Sequence, residues 1–224
     1  MPHHRQLTSL PNNFLTGLLL VERGYAFSNG KDLARGMLPE KVLDLLNRLE
    51  EAGVDWVLVG AEAINLYLEN PRATVDVDLV VRKKDLRKAK KILKETCLDV
   101  KDSEVHFDAL LSPPPIRLRV DVIKSQSHVL FEEALDRKVE VEGVKATPVE
   151  VLLALKYLSA SSPWRERGDK FQDLADFLHA YRDNRPRIDR ALLVDLGSRA
   201  YKNARGAFEK LLDDIDHERP ITVV

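Results

Sequence analysis

Between residues 39 and 147 the apolar positions change period repeatedly, from the 3.6 of a helix to the 2 of a strand and back. Residues 39–53, PEKVLDLLNRLEEAG, place Val42, Leu45, Leu46 and Leu49 on one helical face. Pro39 suits the first turn of that helix and Gly53 its end. Residues 55–60, DWVLVG, predict a buried strand, and residues 61–70 a short helix with Ala63, Leu66 and Tyr67 inward. RATVDVDLVV, residues 72–81, is a strand rich in β-branched residues. Residues 83–96 form a basic amphipathic helix. Residues 105–111 and 116–123 read as strands joined by the stiff turn SPPP. HVLFEEAL is a short helix, and KVEVEGVKA a hairpin turning at Gly143.

After Thr147 the strand period disappears. TPVEVLLALKYLSA opens with Thr147 as N-cap, Pro148 in the first turn and Glu150 completing a capping box. GDKFQDLADFLHAYRD, RALLVDLGSRA and ARGAFEKLLDDID predict three more helices. Before residue 37 the pattern is weak: Pro11, Asn12, Asn13, Gly24, Asn29 and Gly30 interrupt it. The organisation expected is an N-terminal arm with one short helix (1–36), an α/β domain (37–147) and a C-terminal helical region (148–224). The fold class is therefore α/β, or α+β: a mixed sheet flanked by helices, followed by helices alone.

Composition narrows the function classes. A 224-residue chain with 44% hydrophobic and 32% charged residues buries an ordinary core. A formal net charge of −1 supplies no global basic field for nucleic acid. The single cysteine, Cys97, forms no internal disulfide, which fits a reducing, cytoplasmic setting. No apolar run nears the roughly 20 residues of a membrane span, and MPHHRQLTSL lacks the apolar core of a signal peptide. No His/Cys spacing resembles a zinc site.

One pattern then stands out. Asp76 and Asp78 lie two apart in a β-branched strand, so both project from one face. Two carboxylates that close do not both stay ionised cheaply without a cation or strong donors. A divalent ion such as Mg²⁺, with its preference for hard oxygens and phosphates, would relieve them. A solvated edge strand accounts for the same dipeptide, and both readings stand here. Upstream, Gly60 ends a strand where a helix begins, a place where phosphates approach backbone N–H groups. Asp121 again interrupts a β-branched run, RLRVDVI, either as a third acid of the site or as an outward residue of an alternating strand.

VLVGAEAINLYLENPRATVDVDLVV, residues 57–81, resembles the signature of the nucleotidyltransferase superfamily related to DNA polymerase β: strand, Gly-Gly or Gly-Ser turn, helix, then a strand carrying D-x-D. Arg72, Ala73 and Thr74 before the acids are most like the prokaryotic branch that includes the AbiEii-type toxins of abortive-infection and toxin–antitoxin systems. LLALKYLSA followed by RERGDKFQDLADFL is similar to the helical region of that branch. The resemblance spans roughly residues 57–178, and here Ala61 stands where the superfamily usually has Gly or Ser, with Glu62 after it.

What the resemblance implies is a nucleotidyltransferase-like sheet and a metal-dependent transfer of a nucleoside monophosphate from a triphosphate to a hydroxyl. Asp76, Asp78 and Asp121 would hold Mg²⁺ or Mn²⁺, Asp121 also helping to deprotonate the acceptor. Gly60, Ala61, Arg72 and Thr74 would meet the nucleotide, Lys156 would neutralise triphosphate charge, and Asp173 and Asp176 would be the paired helical acids. The acceptor would be an RNA such as tRNA, a protein or a small molecule, and an antitoxin protein would restrain the activity. The alternative is a catalytically degenerate relative that binds nucleotide or a partner. Read from the residues alone, Lys156 also suits a lysine snorkelling at a helix edge. Asp173 and Asp176 suit salt bridges to Arg165, Arg167 or Lys170. Arg72 suits either a phosphate or an ion pair bracing the acids. Lys83, Lys84, Arg87, Lys88, Lys90, Lys91 and Lys94 form a basic face that fits a solvated helix or an RNA backbone. Tyr157 and Trp164 read as core or interface rather than base-stacking platforms.

Overall fold

A computed structural model describes residues 7–29, 37–112 and 116–221. The chain divides into two compact units, Met1–Thr147 and Pro148–Val224.

The first unit opens with α1 (Asn12–Asn29) and α2 (Met37–Glu51). The short helix expected near the N-terminus is thus an 18-residue one. Phe14 and Leu18, both fully buried, hold it against α2 and α3. Asn13, read as a breaker of the pattern, serves hydrogen bonding instead, its Nδ2 donating to the carbonyls of Asn65 and Leu68. In α2, Val42, Leu45, Leu46 and Leu49 are buried as the pattern predicts, and Gly53 takes a positive φ of 63° past its end.

Next come β1 (Trp56–Val59), α3 (Gly60–Asn65), β2 (Asp76–Val81), α4 (Leu86–Thr96), β3 (Asp99–Asp102), β4 (His106–Leu110), β5 (Arg119–Lys124), α5 (Val129–Asp136), β6 (Val139–Val141) and β7 (Val144–Ala146). The expected helix over 61–70 stops at Asn65, and the loop that follows leads into β2. β3, DVKD, escaped the sequence reading because it is an exposed, polar edge strand with no apolar alternation. Of the SPPP turn, Pro113 to Pro115 lie outside the described residues.

The seven strands form one mixed sheet in the order β3-β4-β5-β2-β1-β7-β6. β2 runs parallel to β5 and β1 parallel to β7; the other neighbours are antiparallel. On one face Val77, Leu79, Val120 and Val122 are fully buried. α3 and α5 both pack on β1 and β2. Arg82, just after β2, gathers Asp55, Glu132 and Asp136 at 3.1, 2.7 and 2.7 Å, tying β1, β2 and α5 together.

Thr147 does not cap a helix. Its hydroxyl donates to the Leu58 carbonyl at 2.8 Å, fastening the end of β7 to β1. The second unit therefore starts with α6 (Val149–Ser161), capped by Pro148 without a side-chain bond. Glu150 instead accepts from the Asp189 N–H at 3.0 Å. α7 (Arg167–Asn184), α8 (Arg190–Ser198) and α9 (Ala204–Asp216) complete it, with Asp189 capping α8 through Leu192 N at 3.1 Å. Its core is aromatic: Phe208 packs on Tyr157 at 4.6 Å and edge-on against Phe177 at 6.0 Å. Tyr157 is accordingly buried, whereas Trp164 is 93% exposed. No helix among the described residues is long and apolar enough to cross a membrane.

Candidate active site

β2 alternates as its sequence dictates. Val77 and Leu79 go into the core, and Asp76 and Asp78 stand half-buried on the opposite face. The parallel register with β5 sets Asp78 beside Asp121 and Asp76 beside Arg119. The antiparallel register of β4 with β5 then sets Asp108 beside Asp121. Asp78, Asp121 and Asp108 thus form one row across three adjacent strands, which stand about 4.8 Å apart in such sheets. Like charges directly opposite one another repel. The strain collects on Asp121, whose Oδ1 is buried and accepts no hydrogen bond. Burial pushes the Asp121 carboxyl up from its ordinary value; Asp108 and Asp76 push the same way, against His106 and Arg119.

Arg119 and Asp108 went unread in the sequence. Arg119 pairs with Asp108 at 2.5 Å, so a cation sits on the acidic face between Asp108 and the Asp76 position. Their signal was the one that marked Asp121, a polar residue alternating with Val120, Phe107 or Ala109. Only the register reveals that the three strands carry it to one place.

Gly60 follows Val59, which pairs with Asp78. Its φ is +70°, a conformation that favours glycine. A Cβ placed there would lie 1.9 Å from Asp78 Oδ2. The Asp78 carboxylate therefore rests directly over the Gly60 backbone, at the turn where α3 begins. Ala61, next in that turn, is buried. Thr74, also buried, uses its hydroxyl on the Asp76 backbone at 3.4 Å, shaping the entry to β2.

Glu62 does not reach into solvent. It is fully buried; Asn65 Nδ2 donates to its Oε2 at 3.1 Å, while Oε1 has no partner. Burial raises its carboxyl to about 9, with Asp78 adding to the rise and Asn65 and Arg72 opposing it. Asn65 also holds Arg72: Arg72 N–H donates to Asn65 Oδ1 at 3.0 Å, and Asn65 Nδ2 donates to the Arg72 carbonyl at 2.9 Å. The Arg72 side chain reaches the Ala73 carbonyl at 3.3 Å.

In the second unit Lys156 is buried, its Nζ 2.8 Å from Asp173 and 2.6 Å from Asp176. Ser159 and Arg165 donate to Asp173 at 2.6 and 2.8 Å, and Gln172 to Asp176 at 3.0 Å. Burial alone would raise the Asp173 carboxyl, but Lys156, Ser159 and Arg165 together hold it below the usual carboxylate range. Of the three cations weighed for these acids in the sequence, Arg165 pairs with Asp173, and Lys156 adds a partner the spacing did not suggest.

No group of three or more His, Cys, Asp or Glu side chains among the described residues is arranged to hold a metal ion by itself. Asp76 and Asp78 on one strand are a two-carboxylate set, with Asp121 beside them.

Residues 44–220 match the model of the family described as nucleotidyl transferase AbiEii toxin, type IV TA system. No curated protein matches the chain. Among solved structures, the solution structure of the antibiotic-resistance factor ANT(2'')-Ia aligns with 80% of this chain and 95% of its own, at 13% identity and a TM-score of 0.52. A crystal structure of ANT(2'')-Ia with adenylyl-2''-tobramycin aligns with 76% of this chain and 97% of its own, at 14% identity and a TM-score of 0.51. At these identities the likeness is one of fold.

Proposed function

This chain belongs to the AbiEii family of nucleotidyl transferases, and we propose that the face carrying Asp76, Asp78 and Asp121 is where it moves a nucleoside monophosphate from a triphosphate to an acceptor hydroxyl. The observation that carries this reading is the pairing of Asp78 with Asp121 across β2 and β5, beside a glycine whose missing Cβ gives the Asp78 carboxylate its place.

The residues fit a divalent ion. Asp76 and Asp78 offer hard oxygens from one strand face, and Asp121 Oδ1 lacks any other partner. Mg²⁺ is typically held by one or two carboxylates, with phosphate oxygens and water completing its shell. Bound there, Mg²⁺ or Mn²⁺ supplies positive charge for the triphosphate and for the oxygens of an in-line displacement. The chain's own part follows. Asp121 takes the proton of the acceptor hydroxyl. A bond forms from that oxygen to the α-phosphorus, the bond to the bridging oxygen breaks, and pyrophosphate leaves. Gly60 and Ala61 offer backbone N–H groups to the phosphates, and Arg72 a guanidinium. Thr74 sets the entry of the acidic strand. Lys156, in the second unit, is held by Asp173 and Asp176.

The acceptor is a hydroxyl on RNA, tRNA included, on a protein or on a small molecule. The exposed Arg87 and Lys94 of α4 suit an RNA backbone or a solvated helix face alike, and Lys88, Lys90 and Lys91 of that helix pair with Asp85, Asp102 and Glu95. The family's description as a toxin supports an antitoxin protein as the partner that restrains the activity.

The test is calorimetric titration of each of the four nucleoside triphosphates, with Mg²⁺, into the wild type and into Asp76→Asn/Asp78→Asn. Metal-dependent binding lost in the double variant is the expected result, and it names the nucleotide for labelled-transfer assays on RNA and protein. A folded wild type that binds no triphosphate overturns the reading.

A further inference from the structure

Arg72 stands four residues before Asp76, in the loop between α3 and β2. Nothing in that loop is regular structure, yet its peptide at Arg72 is held as firmly as one in a sheet. Asn65, fully buried, accepts from the Arg72 N–H and donates to the Arg72 carbonyl. A single side chain thereby fixes both polar groups of one residue, the bonding a neighbouring strand would provide. The second Nδ2 hydrogen goes to Glu62 Oε2, so both donors of the carboxamide are used.

α1 closes over this arrangement. Asn13 Nδ2 donates to the carbonyls of Asn65 and Leu68 at 3.0 and 2.9 Å, fastening the end of α3. A Cβ at Gly17 would lie 2.8 Å from Asn65 Nδ2 and 3.1 Å from both the Arg72 carbonyl and Glu62 Oε1. Gly17 is therefore the point where the α1 backbone touches all three members, and it covers them because it has no side chain.

We propose that Asn65, locked by Glu62 and covered at Gly17, is a positioning residue that sets Arg72 for the triphosphate. The inference rests on the reading above that Arg72 meets phosphate. A guanidinium on a long side chain spends rotamer freedom when it binds, and a fixed Cα lowers that cost. Charge-assisted bonds to phosphate also depend on direction, which a loose loop would blur.

The test is a double-variant cycle on the full chain, read as the Kd of the Mg²⁺ complex of the triphosphate that binds best. Arg72→Ala should raise Kd by roughly tenfold or more, the loss of at least one charge-assisted hydrogen bond. Asn65→Ala should raise Kd comparably in the Arg72 background and leave it unchanged in the Arg72→Ala background. Asn65→Ser, whose single hydroxyl lies one bond short of the carboxamide and cannot hold both polar groups of Arg72, is measured alongside and should raise Kd as Asn65→Ala does, with thermal unfolding to establish that each variant is folded. A change that is the same in both backgrounds, or no change when Arg72→Ala does weaken binding, overturns the positioning role. Wild-type affinity in Arg72→Ala instead overturns the phosphate role of Arg72 itself, and that failure shows in the single variant alone.

Discussion

Beside the candidate site, Glu62 carries a cost that the native fold tolerates. Glu62 is a carboxyl with no solvent contact and one idle oxygen. Its folded value near 9 lies above the ordinary 4.5, so the folded state holds a proton that the unfolded state releases. The resulting stability is full below about pH 4.5 and is lost as pH rises toward 9. At pH 7 the cost is about 3 kcal/mol, taking about 1.4 kcal/mol per pKa unit. Glu62→Gln should therefore unfold at a higher temperature than the wild type at pH 7 and flatten the decline toward alkaline pH; parallel melting curves of the two proteins from pH 5 to 9 check this. Gly60 presents the opposite case. Alanine there would meet Asp78 Oδ2 at 1.9 Å in a conformation that L residues avoid. Gly60→Ala should destabilise the protein by about 1–3 kcal/mol from the backbone alone and, by displacing the Asp78 carboxylate, abolish Mg²⁺-dependent triphosphate binding. Normal binding in that variant would separate Asp78 from the metal.

At the scale of elements, α6 and α7 are joined by a buried ion cluster rather than by apolar packing alone. Lys156 stands between Asp173 and Asp176, and each aspartate has a further donor. Removing one partner of such a buried set leaves charge uncompensated and typically costs about 3–5 kcal/mol. Lys156→Met should thus lower the unfolding midpoint in denaturant sharply, even without nucleotide. A variant as stable as the wild type would show that the cluster adds nothing to the fold of this unit. The lowered Asp173 value adds stability above the unfolded carboxylate range, which is lost as pH falls below about 4.

At the scale of the molecule, a net charge of −1 conceals an uneven distribution, because Asp76, Asp78, Asp121 and Asp108 share one sheet face. An ion that binds only the folded state raises stability by about 2.7 kcal/mol at a hundred times its Kd. Mg²⁺ should raise the melting temperature of the wild type by several degrees and leave Asp76→Asn/Asp78→Asn unmoved; a shift of equal size in both would place the ion elsewhere. What the sequence determined by itself are features written in local period and local charge. These are the helices from α2 onward, the strands with apolar alternation, the glycine turn and the acidic pair Asp76 and Asp78, since spacing alone sets which face a residue takes. The matched family and the mixed sheet agree with that reading. Other features depend on partners distant in the chain and have no local pattern. β3 is a strand because β4 pairs with it, and α1 is a long helix because Phe14 and Leu18 find a core. Thr147 gives up its capping role because the Leu58 carbonyl lies within reach. The row from Asp78 through Asp121 to Asp108, the Arg119 cation on it and the grip of Asn65 on Arg72 were decided by strand register and loop closure. Only the tertiary structure sets those: a shift of one residue in β2, β4 or β5 would turn that strand's side chains to the other face of the sheet, and the Asn65–Arg72 bonds form only once the loop closes.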